Sequence, residues 1–515
     1  MSVRARALMV QGTASHVGKT VLVAALCRYF RRRGIRVAPF KAQNMALNAW
    51  VTAEGGEIGW AQAMQAEAAG LEPSIDMNPL LLKPQTGGSQ VVVHGRVWAT
   101  LSARDYYQQE APLREAVELS YDRLARRHDL IVIEGAGSPA EPNFLQRDLV
   151  NMAVARLADA PVVLVGDVDR GGVFASFVGT LEILPFDDRC RVAGFVLNRF
   201  RGDVGLLRPA LDYLERRTRR PVLGVVPYLA DLLLPEEDSV ALDERRSGRD
   251  RPAAARRGPG PVRVAVVRLP HVANFTDFLP LDADPGLEVA YVERPSTLGQ
   301  PGVVILPGTK DTLADLRWLH ETGWVAALLA HHARGGAIGG ICGGFQMLGT
   351  EVADPLGLEG GGRAAGLGLL PARTRVEPGK VTRQVRARLA QGDEPTGPSV
   401  EAYEIHLGRT EVAPGVRPVF FVADDGGWRA EGARSADGRV WGTYLHGSLD
   451  TPGARRALLA TATVAPQMRE EQSVEPLDFR ALRERQYERL ADVVRDYLDT
   501  AALERLAGAA RTETP

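Results

Sequence analysis

Ala7-Leu8-Met9-Val10-Gln11-Gly12-Thr13-Ala14-Ser15-His16-Val17-Gly18-Lys19-Thr20 is the stretch that decides the fold of the N-terminal half. Ala7–Val10 is a near-continuous apolar run, the pattern of a strand buried on both faces. Beyond the glycines, Val21, Leu22, Leu26, Tyr29 and Phe30 recur at helical spacing. Arg31, Arg32 and Arg33 complement the helix dipole in its last turn, and Gly34 can end it. Between strand and helix lies a glycine loop whose backbone N–H groups can converge on phosphate oxygens. Gly12, Thr13 and Gly18 would line the phosphates, Lys19 would reach the terminal ones, and the Thr20 hydroxyl would ligate magnesium. Five residues, not the usual four, separate Gly12 from Gly18-Lys19-Thr20. His16 reads as a loop residue.

Working outward, Val37–Phe40, Leu130–Ile133, Val162–Val165 and Val192–Leu197 repeat the buried-strand pattern, with helical segments between them. That alternation is the βαβ unit of a parallel sheet. Glu134 and Lys41 each follow such a strand and therefore face the ligand crevice. There Glu134 could hold magnesium, and Lys41 could neutralise a transferring phosphoryl group. From Glu244 to Arg263 arginines, prolines and glycines replace the pattern, as in a solvated linker. A second α/β series follows with Val262–Val267, Leu287–Val292, Val303–Leu306 and Ala337–Ile341. The segment Asp478–Leu506 has the spacing of one or two packing helices. The expected division is residues 1–240, a linker at 241–262, a second domain at 263–470 and a helical tail at 471–515. The fold class is α/β, with two doubly wound domains.

The 515 residues suit several domains; 45% are hydrophobic and 24% charged, the balance of a globular protein. A formal net charge of -1 gives no reason to expect nucleic acid or an anionic membrane as partner. Three irregularly spaced cysteines make neither a disulfide framework nor a zinc site and suggest a reducing compartment. The apolar run Ala7–Val10 is too short for a signal peptide, and no run nears the ~20 residues of a membrane span. A cytoplasmic location is expected, and the sequence does not set the oligomeric state.

Gly339-Gly340-Ile341-Cys342-Gly343-Gly344-Phe345-Gln346 narrows the chemistry. Glycines on both sides of the cysteine permit a sharp strand-to-helix turn that presents sulfur at a helix N-terminus, where a thiolate is stabilised. Cys27 and Cys190 lack this context and read as small buried hydrophobes. A thiolate nucleophile needs a base, and His446, in Gly442-Thr443-Tyr444-Leu445-His446-Gly447, is the choice among nine histidines. His406 competes, with a packing or substrate-side role favoured for it. Gly308, ending a strand, and Gly343 could offer N–H groups to an oxyanion.

These residues carry a resemblance to the cobyric acid synthase family along nearly the whole chain. It rests on Gly12–Thr20, Lys41-Ala42-Gln43-Asn44-Met45-Ala46-Leu47-Asn48, Glu134–Glu141, Asp167–Phe174, Gly340–Gly344 and Tyr403–His406. The Lys41–Asn48 stretch is the most specific of these. The first half resembles dethiobiotin synthetase, whose loop also has the extra residue, within a P-loop NTPase-like sheet. The second resembles class I glutamine amidotransferases, with a flavodoxin-like fold. The resemblance implies four amidations, at the b, d, e and g carboxylates of adenosylcobyrinic acid a,c-diamide, each consuming one glutamine and one ATP with Mg2+. The implied partners are small molecules: corrinoid, glutamine and ATP. The wider amidotransferase pattern has a Glu two residues after the His; here Ser448 stands, as this family lacks that Glu, and no third residue is named. Rival readings are the a,c-diamide synthase, another glutamine-dependent amidoligase, or a P-loop ATPase switch with an inert amidotransferase-like domain. Lys41–Asn48 argues against the first two, and the well-framed Cys342 and His446 against the last.

Overall fold

The computed structural model describes residues 4–85, 88–143, 145–234, 262–460 and 477–508. The chain forms two compact units. One holds the residues up to Ala46, those from Thr52 through the first half, and those from Arg483 on; the other holds Leu47–Val51 and the second half up to Leu482. All but the last residue of 241–262 lies outside the described residues.

In the first unit a six-stranded sheet runs in the order Val222–Pro227, Val192–Phe200, Val162–Asp167, Arg6–Gly12, Leu130–Glu134, Val37–Phe40. Every neighbouring pair in it is parallel. The helix Lys19–Arg32 buries Leu22, Leu26, Tyr29 and Phe30, as its spacing requires. All five expected strands are present. A four-stranded sheet of Gln43–Met45, Leu80–Gln85, Gly88–Val93 and Arg96–Leu101 was not expected. The helices Phe479–Tyr497 and Thr500–Leu506 match the helical tail expected from spacing. Arg28, nearly buried, is held by Glu484 at 2.8 Å and Glu488 at 2.9 Å from the first of them.

The second unit has its own six-stranded sheet: Leu287–Val292, Val262–Val267, Val303–Leu306, Ala337–Ile341, Val440–Thr443 and Ala433–Arg434. The first five strands are parallel and the last is an antiparallel edge. Two further sheets fill the stretch after Leu348. One has four strands; the other has five antiparallel strands, including Ser399–His406 and the short Leu445–His446. Tyr403 pairs with His446 across the last two.

Candidate active sites on two parallel sheets

In the first unit the loop after Arg6–Gly12 closes on Lys19. Its ammonium is nearly buried and donates to the carbonyls of Ala14 at 2.9 Å and Gly137 at 3.0 Å. Gly18 stands at φ +94°, and an added Cβ would lie 2.1 Å from the Asn198 amide, so only glycine fits. Thr13 differs from expectation in one respect. Its N–H is committed to the Val165 carbonyl at 2.9 Å and is therefore not free to meet a phosphate. His16 is exposed.

Glu134 is buried at the carboxyl end of its strand. It accepts from the Thr20 hydroxyl at 2.8 Å, the Lys41 ammonium at 2.9 Å and the Gln65 amide at 2.5 Å. Thr20, Lys41 and Glu134 therefore meet at one point, though 114 positions separate the first from the last. One hydroxyl and one carboxylate oxygen side by side suit Mg2+, which binds through few protein oxygens and keeps sites for phosphate and water. Among the described residues no group of three His, Cys, Asp or Glu side chains forms a metal site, so such an ion would depend on the nucleotide for its other ligands.

In the second unit Cys342 sits between the strand Ala337–Ile341 and the helix Gly343–Leu348 at φ +54°, ψ -112°. That conformation is strained for a residue with a side chain and is the geometry of a nucleophile elbow. Its N–H is fixed by the Thr443 carbonyl at 2.8 Å, and Sγ lies 3.5 Å from the Ile405 carbonyl. Gly343 is the first residue of the helix, so its amide has no partner within it. A Cβ on Gly308 would fall 3.4 Å from His446 Cε1 and 3.7 Å from Cys342 Cβ, which places Gly308 against both side chains.

His446 is buried, stacked on the Tyr403 ring at 5.2 Å, and close enough to Cys342 to feel its charge. Its Nδ1 lies 2.7 Å from Asp277 Oδ2, while the other carboxylate oxygen accepts the Gly447 N–H at 2.9 Å. Burial disfavours charge on the ring, but Asp277 and then Cys342 outweigh it and raise the pKa to about 10. Asp277 was not anticipated from the sequence. The available signal was an acid among Phe275, Phe278, Leu279 and Leu281, just past a strand. Ser448 is buried, and its hydroxyl has no hydrogen-bond partner among the described residues.

The remaining candidates separate clearly. His406 stacks on Tyr444 at 3.8 Å, and burial lowers its pKa to about 4, as for a packing residue. Glu431 accepts from the Tyr444 N–H and the Thr443 hydroxyl, each at 2.7 Å, and burial pushes it up to about 7. It steadies the Thr443 carbonyl that holds Cys342. Cys27 is buried, and burial raises its thiol pKa. Cys190 corrects the expectation: it is exposed, on the short helix Phe186–Arg191.

Residues 8–240 match the model of the CobQ/CobB/MinD/ParA nucleotide binding domain, and residues 263–454 that of the CobB/CobQ-like glutamine amidotransferase domain. Cobyric acid synthase of Sorangium cellulosum (strain So ce56) is 51% identical over 97% of this chain and 98% of its own. The chain belongs to the cobyric acid synthase family. Members of that family are glutamine-dependent amidoligases, and both sites described above fall within the matched domains. Among solved structures, PurLQS from Thermotoga maritima is 21% identical, with a TM-score of 0.30 over 39% of this chain and 98% of its own. The signal recognition particle receptor FtsY from Elizabethkingia anophelis is 16% identical, with a TM-score of 0.27 over 44% and 58%. At such scores neither likeness carries an argument. No helix among the described residues is long and apolar enough to cross a membrane.

Proposed function

We propose that this chain amidates the b, d, e and g carboxylates of adenosylcobyrinic acid a,c-diamide, consuming one ATP and one glutamine for each. Whole-length similarity to the Sorangium cellulosum cobyric acid synthase carries the reading. Cys342 attacks the glutamine amide, Asp277 holds His446 with Nε2 toward the sulfur, and His446 passes the proton to departing ammonia. The oxyanion rests on the N–H groups of Gly308 and Gly343. Water then releases glutamate from the γ-glutamyl thioester and regenerates the thiolate.

In the first unit, ATP converts a substrate carboxylate into an acyl phosphate, which ammonia displaces. The carboxylate needs this activation because it is a poor electrophile. The loop amides and Lys19 bind the phosphates through the lining at Gly12, Thr13 and Gly18, and Lys41 balances charge on the transferred group. Thr20 and Glu134 would hold Mg2+, whose role is to neutralise phosphate charge. The site lies in a protein whose reactants are all small molecules.

Mass spectrometry of corrinoid product tests the substrate, because each amidation replaces a hydroxyl by an amino group and the mass steps count the sites. Four steps are expected from the a,c-diamide, and unchanged substrate would overturn the assignment. Cys342→Ala should abolish glutamine-dependent amidation and keep amidation by free ammonia. Loss of both would argue against two separate sites.

A further inference from the structure

Gln65 lies on the helix Trp60–Ala69, which packs against the phosphate-loop helix Lys19–Arg32. Half of its residues are alanine, so Gln62 and Gln65, three apart on one face, are the long polar side chains it buries. Asn78 sets the start of this helix. Its Oδ1 accepts the Gly59 N–H at 2.9 Å, while its Nδ2 donates to the Lys41 carbonyl at 3.1 Å. The helix is therefore fixed against the end of the strand Val37–Phe40, and Gln62 accepts from the Asn44 amide at 2.8 Å just beyond it.

From this helix the Gln65 amide, wholly buried, reaches two groups of the nucleotide site. Nε2 donates to Glu134 Oε2 at 2.5 Å and to the Thr20 carbonyl at 3.3 Å. A carbonyl can only accept, and so can a carboxylate paired with a lysine, so the amide cannot be turned the other way. Oε1 is then left buried with no hydrogen-bond partner among the described residues. A buried acceptor without a donor costs stability, and one that persists calls for a ligand or a bound water to complete it. Glu134 Oε1 takes the Thr20 hydroxyl and the Lys41 ammonium, and Oε2 takes Gln65. Thr20 and Glu134, the two groups suited to Mg2+, come from different elements, and one side-chain amide ties both.

We propose that Gln65 is a positioning residue for the magnesium–nucleotide complex. Its NH2 group holds the Thr20 backbone and the Glu134 carboxylate in a set relation, and Oε1 accepts a hydrogen bond from water that the ion retains. Mg2+ keeps several waters when few protein oxygens bind it, so an outer acceptor has a donor to meet. Outer partners of this kind fix the orientation of a ligand, and their loss typically costs about 10–100-fold in metal affinity. The inference rests on the assignment of Thr20 and Glu134 to Mg2+ given under Proposed function.

The test is ADP binding to the full-length protein by calorimetry, with excess Mg2+ and with EDTA. Mn2+ binding in the presence of ADP, read by electron paramagnetic resonance, accompanies it. Gln65→Met keeps the length of the side chain and removes its donor and acceptor. Gln65→Asn keeps both groups but draws them back by one methylene, and it serves if the first variant does not fold. In each, the dissociation constant for Mn2+ should rise about 10–100-fold, and the tightening of ADP by Mg2+ should shrink by a similar factor. ADP binding in EDTA should stay as in the parent. A residue that served packing alone would weaken ADP equally with and without the ion. That result, or unchanged Mn2+ affinity in a folded variant, would overturn the proposal. If the parent protein itself bound no Mn2+ with ADP, the Thr20–Glu134 assignment would fail, and the inference with it.

Discussion

Replacing Asp277 by Asn tests the second site at its most buried point. The volume is unchanged, but one charge is lost and a donor takes the place of an acceptor 2.7 Å from His446 Nδ1. The Asn oxygen can still take the Gly447 N–H, now 2.9 Å from the carboxylate, which turns the NH2 toward the ring. The ring must then accept at Nδ1 and carry its proton on Nε2, the wrong tautomer for a base acting on Cys342. An opposite charge at this range is worth about 1–3 pKa units, each ~1.4 kcal/mol or tenfold in rate. In a Ser-His-Asp triad the same exchange costs about 10⁴ in kcat. The expected fall in kcat/KM for glutamine is therefore about 10³–10⁴-fold, with ammonia-dependent amidation retained. Glutamate release read through a coupled dehydrogenase measures it.

The same substitution has a signed effect on stability. The His446 pKa is raised from 6.5 to about 10, with burial opposing the shift and Asp277 and Cys342 driving it. A raised folded-state pKa contributes stability that is complete below the unfolded value and is lost as pH rises through the folded one. Parent and variant should thus differ most in unfolding free energy near pH 6.5, and the difference should shrink toward pH 10. Denaturant titrations at both ends of that window read it. A kcat/KM within threefold of the parent, or a stability gap that widens with pH, would refute the reasoning.

Two further outcomes follow from contacts in the sites. Gly308→Ala places a Cβ 3.1 Å from the Ala273 carbonyl and 3.4 Å from His446 Cε1, so the oxyanion loop must move. Overpacking of about 1–3 kcal/mol predicts a roughly 10–100-fold loss of glutamine hydrolysis in steady-state assays, with ATP-dependent use of ammonia unaffected. Lys41→Met leaves Glu134, which is almost wholly buried, without its cation. Breaking a buried pair in this way costs about 3–5 kcal/mol. Thermal melting should show a clear fall that Lys41→Met combined with Glu134→Gln reverses, while amidation activity stays absent in both.

Much of this was legible in the sequence because parallel strands buried on both faces announce themselves. Ala7–Val10, Leu130–Ile133 and Ala337–Ile341 are apolar whichever way their side chains point, and glycines mark where the chain turns from them. The sheet built on Gln43–Met45 and Arg96–Leu101 was hidden for the converse reason. Arg96–Leu101 exposes or half-exposes every residue, so it has no apolar run to read. The antiparallel strands after Leu348 are similar: Val381–Leu389 exposes Arg383, Arg386 and Arg388 and buries only Ala387 and Leu389, so it too has no apolar run. Asp277 escaped notice because the wider amidotransferase pattern directs attention two residues past the histidine, where Ser448 stands.

Its placement shows what the chemistry requires. In a strand, residues two apart share a face, so a carboxylate two positions past His446 is the local way to reach the ring. Here the carboxylate arrives from after Val262–Val267, three strands across the sheet from Val440–Thr443. The strands between them, Val303–Leu306 and Ala337–Ile341, end in Gly308 and Cys342. Four adjacent parallel strands thus deliver Asp277, Gly308, Cys342 and His446 to one edge of the sheet. The connections from Val262–Val267 and from Val303–Leu306 leave in opposite directions, which opens a crevice at that edge. A triad needs a carboxylate at Nδ1 and is indifferent to the route by which the chain brings it. The first unit obeys the same geometry: Thr20, Glu134 and Lys41 follow three adjacent strands and converge although their sequence positions do not. Sequence spacing alone could find each strand end. Only the strand order could say which of those ends are neighbours.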